Sequence, residues 1–476
     1  MVVCSHRGPV AYHRTPTGVE PRIAGPGGLV AVVAPALRRL GGTWIFAPST
    51  DEDRELARDG RTVADGDVSH HIVDLPREAH DAMYRVVYTE LLAPLFHYLL
   101  DFGRQPAFDA ALHRAWAGYR EANRRFGAAV AGYRDADGVL VEDAHLMLVA
   151  RAARDAGAGS APLTYFHHLP WCEPQYFAAL PASVRTDILA GLLAFDGVAF
   201  HTRRWLEAFA ACCERFLPGV ERSGDTLGHA GRETILSVLP VAIDAGAVRA
   251  TAEGELAREW SDRFRELVGD RRAIVRVERA DPSKNAVRAL EAYEELLERR
   301  PELASETCLL AVMTRVRTWS EPYRRYLAEC EEVAARINAR HAPEAPPVAL
   351  HLSPDPNQFD HHRAIGALRV ADTLLVTPVY DGLNIVALEG VIVGDPSVVL
   401  SENAGAHELL GDHAFGVNPF DVSETAEAIE HALAQLPADR RRRAAAARAV
   451  ATARAPDEWV RARLDACTAA PRTAPP

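Results

Sequence analysis

Two segments carry residues whose types and spacing suit chemistry at a diphosphate. In VERADPSKN (277–285), Arg279 and Lys284 stand five residues apart across an Asp-Pro turn, just past an apolar run that reads as a strand. A guanidinium can grip phosphate oxygens with two parallel bonds and an ammonium adds a compact point charge, so the pair suits a diphosphate leaving group. In VTPVYDGLNIVALE (376–389), a strand beginning at Thr373 breaks at Asp381-Gly382 and re-enters as a helix that carries Glu389. The first N–H groups of such a helix lack intrahelical partners and attract anions, and a carboxylate further along could hold ribose hydroxyls. The two segments together read as a cradle for a nucleotide sugar.

The first half supplies a second set. SHRGP (5–9) puts Arg7 directly after the opening strand, and GPGGL (25–29) offers a glycine loop ahead of a helix. EDAHL (142–146) ends a strand with Asp143 and His145, and YFHHLPW (165–171) ends another with His167 and His168. The carboxyl ends of parallel strands are where open α/β sheets bind ligands. The histidines and the seven cysteines show no recognisable metal-ligand spacing, so neither a metal nor any other cofactor is expected. No GxSxG elbow, GxxxxGK[ST] loop or HExxH motif is present, and no GxGxxG follows the first strand. These absences leave serine-hydrolase, P-loop, zincin and ordinary dehydrogenase readings without support.

Strands and helices must hold these residues in place. Strand candidates fall at 1–5, 43–48, 139–143, 163–168 and 197–201, and then at 235–241, 273–278, 307–313, 348–352, 373–378, 396–401 and 414–418. Helical patterns such as 288–299 and 321–340 lie between them, an alternation that predicts α/β architecture with parallel sheets covered on both faces. Twelve strands fit two sheets better than one. The break between them is expected near 238–262, and Asp421 with Glu424 reads as the capping box of a helix running to Leu433. With 53 basic and 65 acidic residues among 476, the net charge of −12 argues against a nucleic-acid partner. The absence of a long apolar stretch argues against a membrane span. Free cysteines and a strand entered at once over 1–5, leaving no room for a leader, point to the cytoplasm.

The ordered set SHRGP, GPGGL, MYRVVYTELLAPLFHY (83–98), VEDAHL, YFHHLPW, VERADPSKN, TPVYDGLNIVALE, LSENAGAHELLG and VNPFD resembles the retaining glycosyltransferases of the trehalose-6-phosphate synthase family. The resemblance implies a GT-B fold. An acceptor-binding Rossmann-like domain (1–240) would face a nucleotide-sugar domain (241–454) across a cleft, and a terminal segment (455–476) would return to the first. It implies transfer of glucose from UDP- or GDP-glucose to glucose 6-phosphate, by front-face attack and without metal. Residue by residue, Arg279 and Lys284 would hold the diphosphate with the backbone at Gly28 and at Leu383-Asn384-Ile385. Glu389 would bind ribose, Asp381 and His168 would contact the donor sugar, and Asp143 would orient the acceptor. Arg7, Tyr84 and Arg317 would bind the acceptor phosphate, with Arg315 as a substitute for Arg317. Asp143, His168, Arg279, Lys284 and Asp381 form the expected catalytic set, and a homo-oligomer is left open.

Three departures concern the acceptor and sugar positions. Ala93 stands where the family has Trp, Tyr380 where it has Arg, and Ala144 where it has Tyr. The same framework serves glucosylglycerol-phosphate synthases and pseudo-glycosyltransferases that join a cyclitol to an aminocyclitol phosphate through nitrogen. Both are carried as alternatives.

Overall fold

The computed structural model describes residues 1–16, 18–23, 28–60, 62–342, 344–354 and 359–468. The chain divides into two compact units. The first takes in the strands before Gly28, Gly28–Val241 and the helix Pro456–Thr468, and the second is Ala242–Ala455.

In chain order the first unit contains β1 (Val2–Ser5), β2 (Val10–Thr15), β3 (Gly18–Ile23), β4 (Gly42–Phe46), β5 (Thr62–Asp65) and β6 (Val68–Ile72). It continues with β7 (Val139–Glu142), β8 (Leu163–His167), β9 (Gly197–Phe200), β10 (Glu221–Ser223), β11 (Thr226–His229) and β12 (Arg232–Val238). Its main sheet runs β10-β11-β12-β9-β8-β7-β1-β4-β6-β5, while β2 and β3 form a separate hairpin. The seven strands from β12 to β6 are parallel. Their central members β1, β7, β8 and β9 are buried along their whole length, as apolar runs covered on both faces must be. Chain order reverses between β1 and β7, the topological switch point where such sheets bind ligands. The hairpin VAYHRT/GVEPRI, the parallel strand β6 and the marginal strands β5, β10 and β11 are additions to the strands expected from the sequence. They are polar and partly exposed, so no hydrophobic period marks them.

The helix Pro456–Thr468 completes the core of this unit. Trp459 is fully buried, its indole N–H donates to the Leu239 carbonyl at 2.9 Å, and its ring meets Phe166 edge-on at 5.1 Å. The helix seats on two glycines, because a Cβ at Gly138 would collide with Leu464 and one at Gly197 with Cys467.

The second unit holds β13 (Arg272–Arg279), β14 (Thr307–Thr314), β15 (Val348–Leu352), β16 (Thr373–Val376), β17 (Ser397–Ser401) and β18 (Phe415–Val417). All six are parallel in the order β15-β14-β13-β16-β17-β18, with the reversal between β13 and β16. Helix Ala286–Arg299 shows why the pattern folds this way. Its buried Ala286, Ala289, Leu290, Tyr293, Leu296 and Leu297 recur at helical spacing and pack into the cluster containing Ile274, Leu309 and Leu375. Each fully buried leucine contributes about 1.5–3 kcal/mol. Asp421 caps helix Val422–Ala434 by accepting from the Glu424 N–H at 2.9 Å, and Glu424 in turn accepts from the Asn418 N–H at 2.9 Å.

Candidate active site

The switch point of the second sheet gathers the charged loop of 277–285 and the turn of 380–384. Lys284 donates to Asp381, and the Asn384 amide donates to the same carboxylate oxygen at 3.1 Å. Asn384 adopts φ 73° at the start of helix Ile385–Val393 and makes no capping bond, so its side chain is turned to Asp381 rather than to the helix N–H groups. Lys284 itself is held from below. Buried Arg276 donates to the Lys284 carbonyl at 2.8 Å, to Thr377 Oγ1 at 2.8 Å and to both oxygens of Glu278. Burial pushes the Glu278 carboxyl up, and Arg276 opposes that only in part. Asn285 stands in the left-handed region at φ 60° and its amide donates to the Thr377 and Pro419 carbonyls at 3.0 and 2.8 Å. Asn tolerates that conformation with little penalty, as Gly does. The 400–411 loop clamps the turn from the other side, through Asp381 N–H to the Asn403 carbonyl and Ala406 N–H to the Leu383 carbonyl.

Two more predicted residues lie at this end of the sheet. Glu389 is buried and pairs with His361 Nε2 at 2.9 Å. Burial alone would lower the His361 pKa, but the hydrogen bond and charge of Glu389, with Asp360, raise it above the ordinary 6.5. Arg279, 43% exposed at its side chain, faces Asp281 at 3.5 Å. The same carboxylate receives Arg317 at 3.1 Å, and Arg317 also donates to the Tyr323 hydroxyl. Arg317 is therefore buried in the second unit beside Arg279, whereas Arg7 and Tyr84 belong to the first. Arg315 donates to the Ser353 and Pro354 carbonyls. A cavity of about 310 Å³ at the amino-terminal ends of these strands is lined by Arg271, Arg369, Asp372 and Arg440. Those arginines donate to backbone carbonyls or to Asp372, so the cavity reads as structural and lies at the end of the sheet opposite the switch point.

At the switch point of the first sheet, Asp143 has φ 72° and ψ 165°, a region that side chains rarely enter and that costs about 1–3 kcal/mol. The buried face of helix Ala110–Ala131 enforces it. Tyr119 donates to the Ala144 carbonyl at 2.8 Å, and Asn123 donates to the His145 carbonyl while accepting from the Leu148 N–H, both at 3.0 Å. The Asp143 carboxylate accepts from the Ala144 N–H at 2.8 Å and lies 3.5 Å from His145. Burial would raise its pKa, but the His145 bond and charge, the His168 charge and the Ala144 N–H hold it below the ordinary value. Tyr84 sits in a π-helical stretch, Ala82–Leu92, a geometry often found at functional sites. The wide turns stack Tyr84 on His6 at 4.7 Å and on Tyr88 at 6.3 Å, and His145 stacks on Tyr88 at 3.6 Å. His6 also reaches His80 at 3.2 Å between ring nitrogens, and burial, with Arg54, pushes His80 down to about 4. Arg7 is exposed at the end of β1.

His168 Nε2 donates to the buried Glu142 carboxylate at 2.8 Å. Its neighbour His167 is a core residue packed on Phe96 and Trp171 and pushed down to about 3 by burial. Gly28 is the first residue of helix Gly28–Leu40, and the rest of the glycine loop, 25–27, lies outside the described residues. Among the described residues no three His, Cys, Asp or Glu side chains are grouped to hold a metal, and no helix is long and apolar enough to cross a membrane. Sequence reasoning assigned no role to His6, His80, Tyr88, Asp281 or His361. Only their placement beside strand ends or in the π turns brings them to these positions.

Solved structures share this architecture over nearly the whole chain. A trehalose-6-phosphate synthase from E. coli bound with UDP-2-fluoro glucose superimposes with TM-score 0.84 at 27% identity, covering 99% of each chain. One from Burkholderia xenovorans in complex with glucose-6-phosphate gives 0.83 at 25%, covering 98% of this chain and 99% of the other. The protein is a glycosyltransferase of GT-B fold. Its residues 1–468 match the model of glycosyltransferase family 20, and the chain belongs to that family. Among its relatives, the validamine 7-phosphate valienyltransferase of Streptomyces hygroscopicus subsp. jinggangensis is 32% identical over 99% of this chain and 95% of its own length. The trehalose-6-phosphate synthase of Mycobacterium marinum is 33% identical over 98% and 93%.

Proposed function

We propose that this enzyme moves glucose from a nucleoside diphosphate glucose to glucose 6-phosphate, giving trehalose 6-phosphate with retention of configuration. The observation that carries the reading is the Lys284–Asp381–Asn384 arrangement at the start of helix Ile385–Val393. A diphosphate set there would meet an ammonium, the exposed Arg279 guanidinium and the first N–H groups of the helix. All three stabilise charge as the bond from C1 to the diphosphate oxygen breaks. Asp381 is paired with Lys284 and Glu389 with His361, and the family implies front-face attack in place of a carboxylate nucleophile of the usual retaining kind. The acceptor hydroxyl then attacks on the face that the diphosphate leaves, and its proton passes to a leaving phosphate oxygen. Glu389 would hold the ribose and His168 the donor sugar, while Asp143, Arg7 and Tyr84 would serve the acceptor.

A second reading rests on a specific observation: a valienyltransferase and a trehalose-6-phosphate synthase are equally similar to this chain. Ala93 takes the place of a family indole, which would make room for a bulkier or aminated acceptor. Incubation with UDP- or GDP-glucose, or with a nucleoside diphosphate cyclitol, and glucose 6-phosphate, free glucose or an aminocyclitol phosphate, with products identified by mass, decides between them. Trehalose 6-phosphate is the expected product. Nucleotide release only from the cyclitol donor with the aminated acceptor establishes the second reading instead, and equal use of glucose and glucose 6-phosphate removes the phosphate site.

A further inference from the structure

Glu142, at the end of β7, is completely buried and serves two partners. One carboxylate oxygen accepts from His168 Nε2 at 2.8 Å, and the other accepts from Arg463. Arg463 lies 321 residues further along the chain, on the helix Pro456–Thr468, and is itself 2% exposed. It also reaches Thr164 Oγ1 at 3.5 Å and lies over the rings of Phe166 and Trp459 at 5.2 and 4.9 Å. A buried guanidinium and a buried carboxylate each lose several kcal/mol of hydration, and a Met–Leu contact of similar volume would seat a helix as well. The ion pair therefore does something that apolar packing would not. It aims one carboxylate oxygen at the imidazole.

We propose that Arg463 is a positioning residue for glycosyl transfer: by holding the Glu142 carboxylate it fixes the ring of His168, in the orientation that donates Nε2–H to Glu142 and leaves Nδ1 for the site. The inference rests on the proposed contact between His168 and the donor sugar. Asp143, His167 and His201 are the other titratable groups around that imidazole.

Arg463→Met is expected to lower kcat about tenfold to a hundredfold, the scale of a misplaced reacting group, with little change in KM for the donor. Arg463→Lys, which keeps the cation, is expected to recover most of that loss. In a His168→Ala background, Arg463→Met should cause no further loss, because its effect runs through the imidazole. Equal losses in both backgrounds would show a merely structural role and overturn the proposal, as would unchanged kcat in Arg463→Met. Should Arg463→Met not fold by its melting curve, Glu142→Gln, neutral and of the same shape, is taken through the same cycle with the same two outcomes. Wild-type kcat/KM in His168→Ala would refute the donor contact alone. The relay is then read from the His168 Nε2–H proton resonance, assigned by its loss in His168→Ala. It should be protected from exchange in the wild type and lose that protection in Arg463→Met, and unchanged protection overturns the relay.

Discussion

Lys284 donates a hydrogen bond to Asp381, so a bound diphosphate would compete with that carboxylate for the ammonium. Replacement of Lys284 by Ala should cost about 2–4 kcal/mol of transition-state stabilisation, read as kcat/KM, the range for a lost preorganised charge. Wild-type-like turnover would remove Lys284 from the diphosphate site. Activity is expected to survive exhaustive chelation by EDTA, because these cations and the helix N–H groups supply the positive charge that a metal otherwise provides. Restoration by added magnesium, manganese or zinc would overturn that. Glu389 and His361 set a pH dependence. The His361 pKa is raised in the folded protein, so the stability that the pair contributes is complete below pH 6.5 and is lost as pH rises through the folded value. The difference in unfolding free energy between wild type and Glu389→Gln should therefore be larger at acid than at alkaline pH. An equal difference at both would sink this reading. The charged loop residues were legible because turn chemistry marks them locally. His361 was not, because its partner lies 28 residues away and no motif joins them.

Two loops at strand ends do most of the positioning, and each depends on a residue held in an unusual backbone conformation. Asn285 binds the 277–285 loop to Thr377, just past β16, and to the 417–421 segment through two amide bonds. Asn285→Gly keeps the left-handed backbone and loses the bonds, at about 1–3 kcal/mol, while Asn285→Ala adds about 1 kcal/mol of strain. Thermal unfolding should order the variants wild type, Gly, Ala, and a more stable Ala variant would refute the account. Asp143 is the counterpart in the first sheet, held by Tyr119 and Asn123. The central strands were readable because they are buried on both faces and so apolar throughout. The hairpin β2–β3 and the π turns of 82–92 were not, the first because polar half-exposed strands carry no period and the second because no residue pattern distinguishes a π turn from an α turn.

At the scale of the whole molecule, each sheet places its reversal of strand order where the reactive residues collect, β1 beside β7 in one and β13 beside β16 in the other. The helix Pro456–Thr468 closes the first unit, and Trp459→Ala should destabilise that unit by about 3–5 kcal/mol, measured by denaturant unfolding. A cost below 1 kcal/mol would mean that the helix is only loosely attached. Its place in the chain bears on biosynthesis. A ribosome makes β1 to β12 first and then the whole of Ala242–Ala455 before it makes this helix. Until then Phe166 lacks its indole neighbour and Glu142 its guanidinium, so the nascent first unit carries at its centre an acid held by His168 alone. Chains arrested before residue 456 should thus be degraded or held by chaperones as incomplete, even though every residue of both reactive loops has already been made.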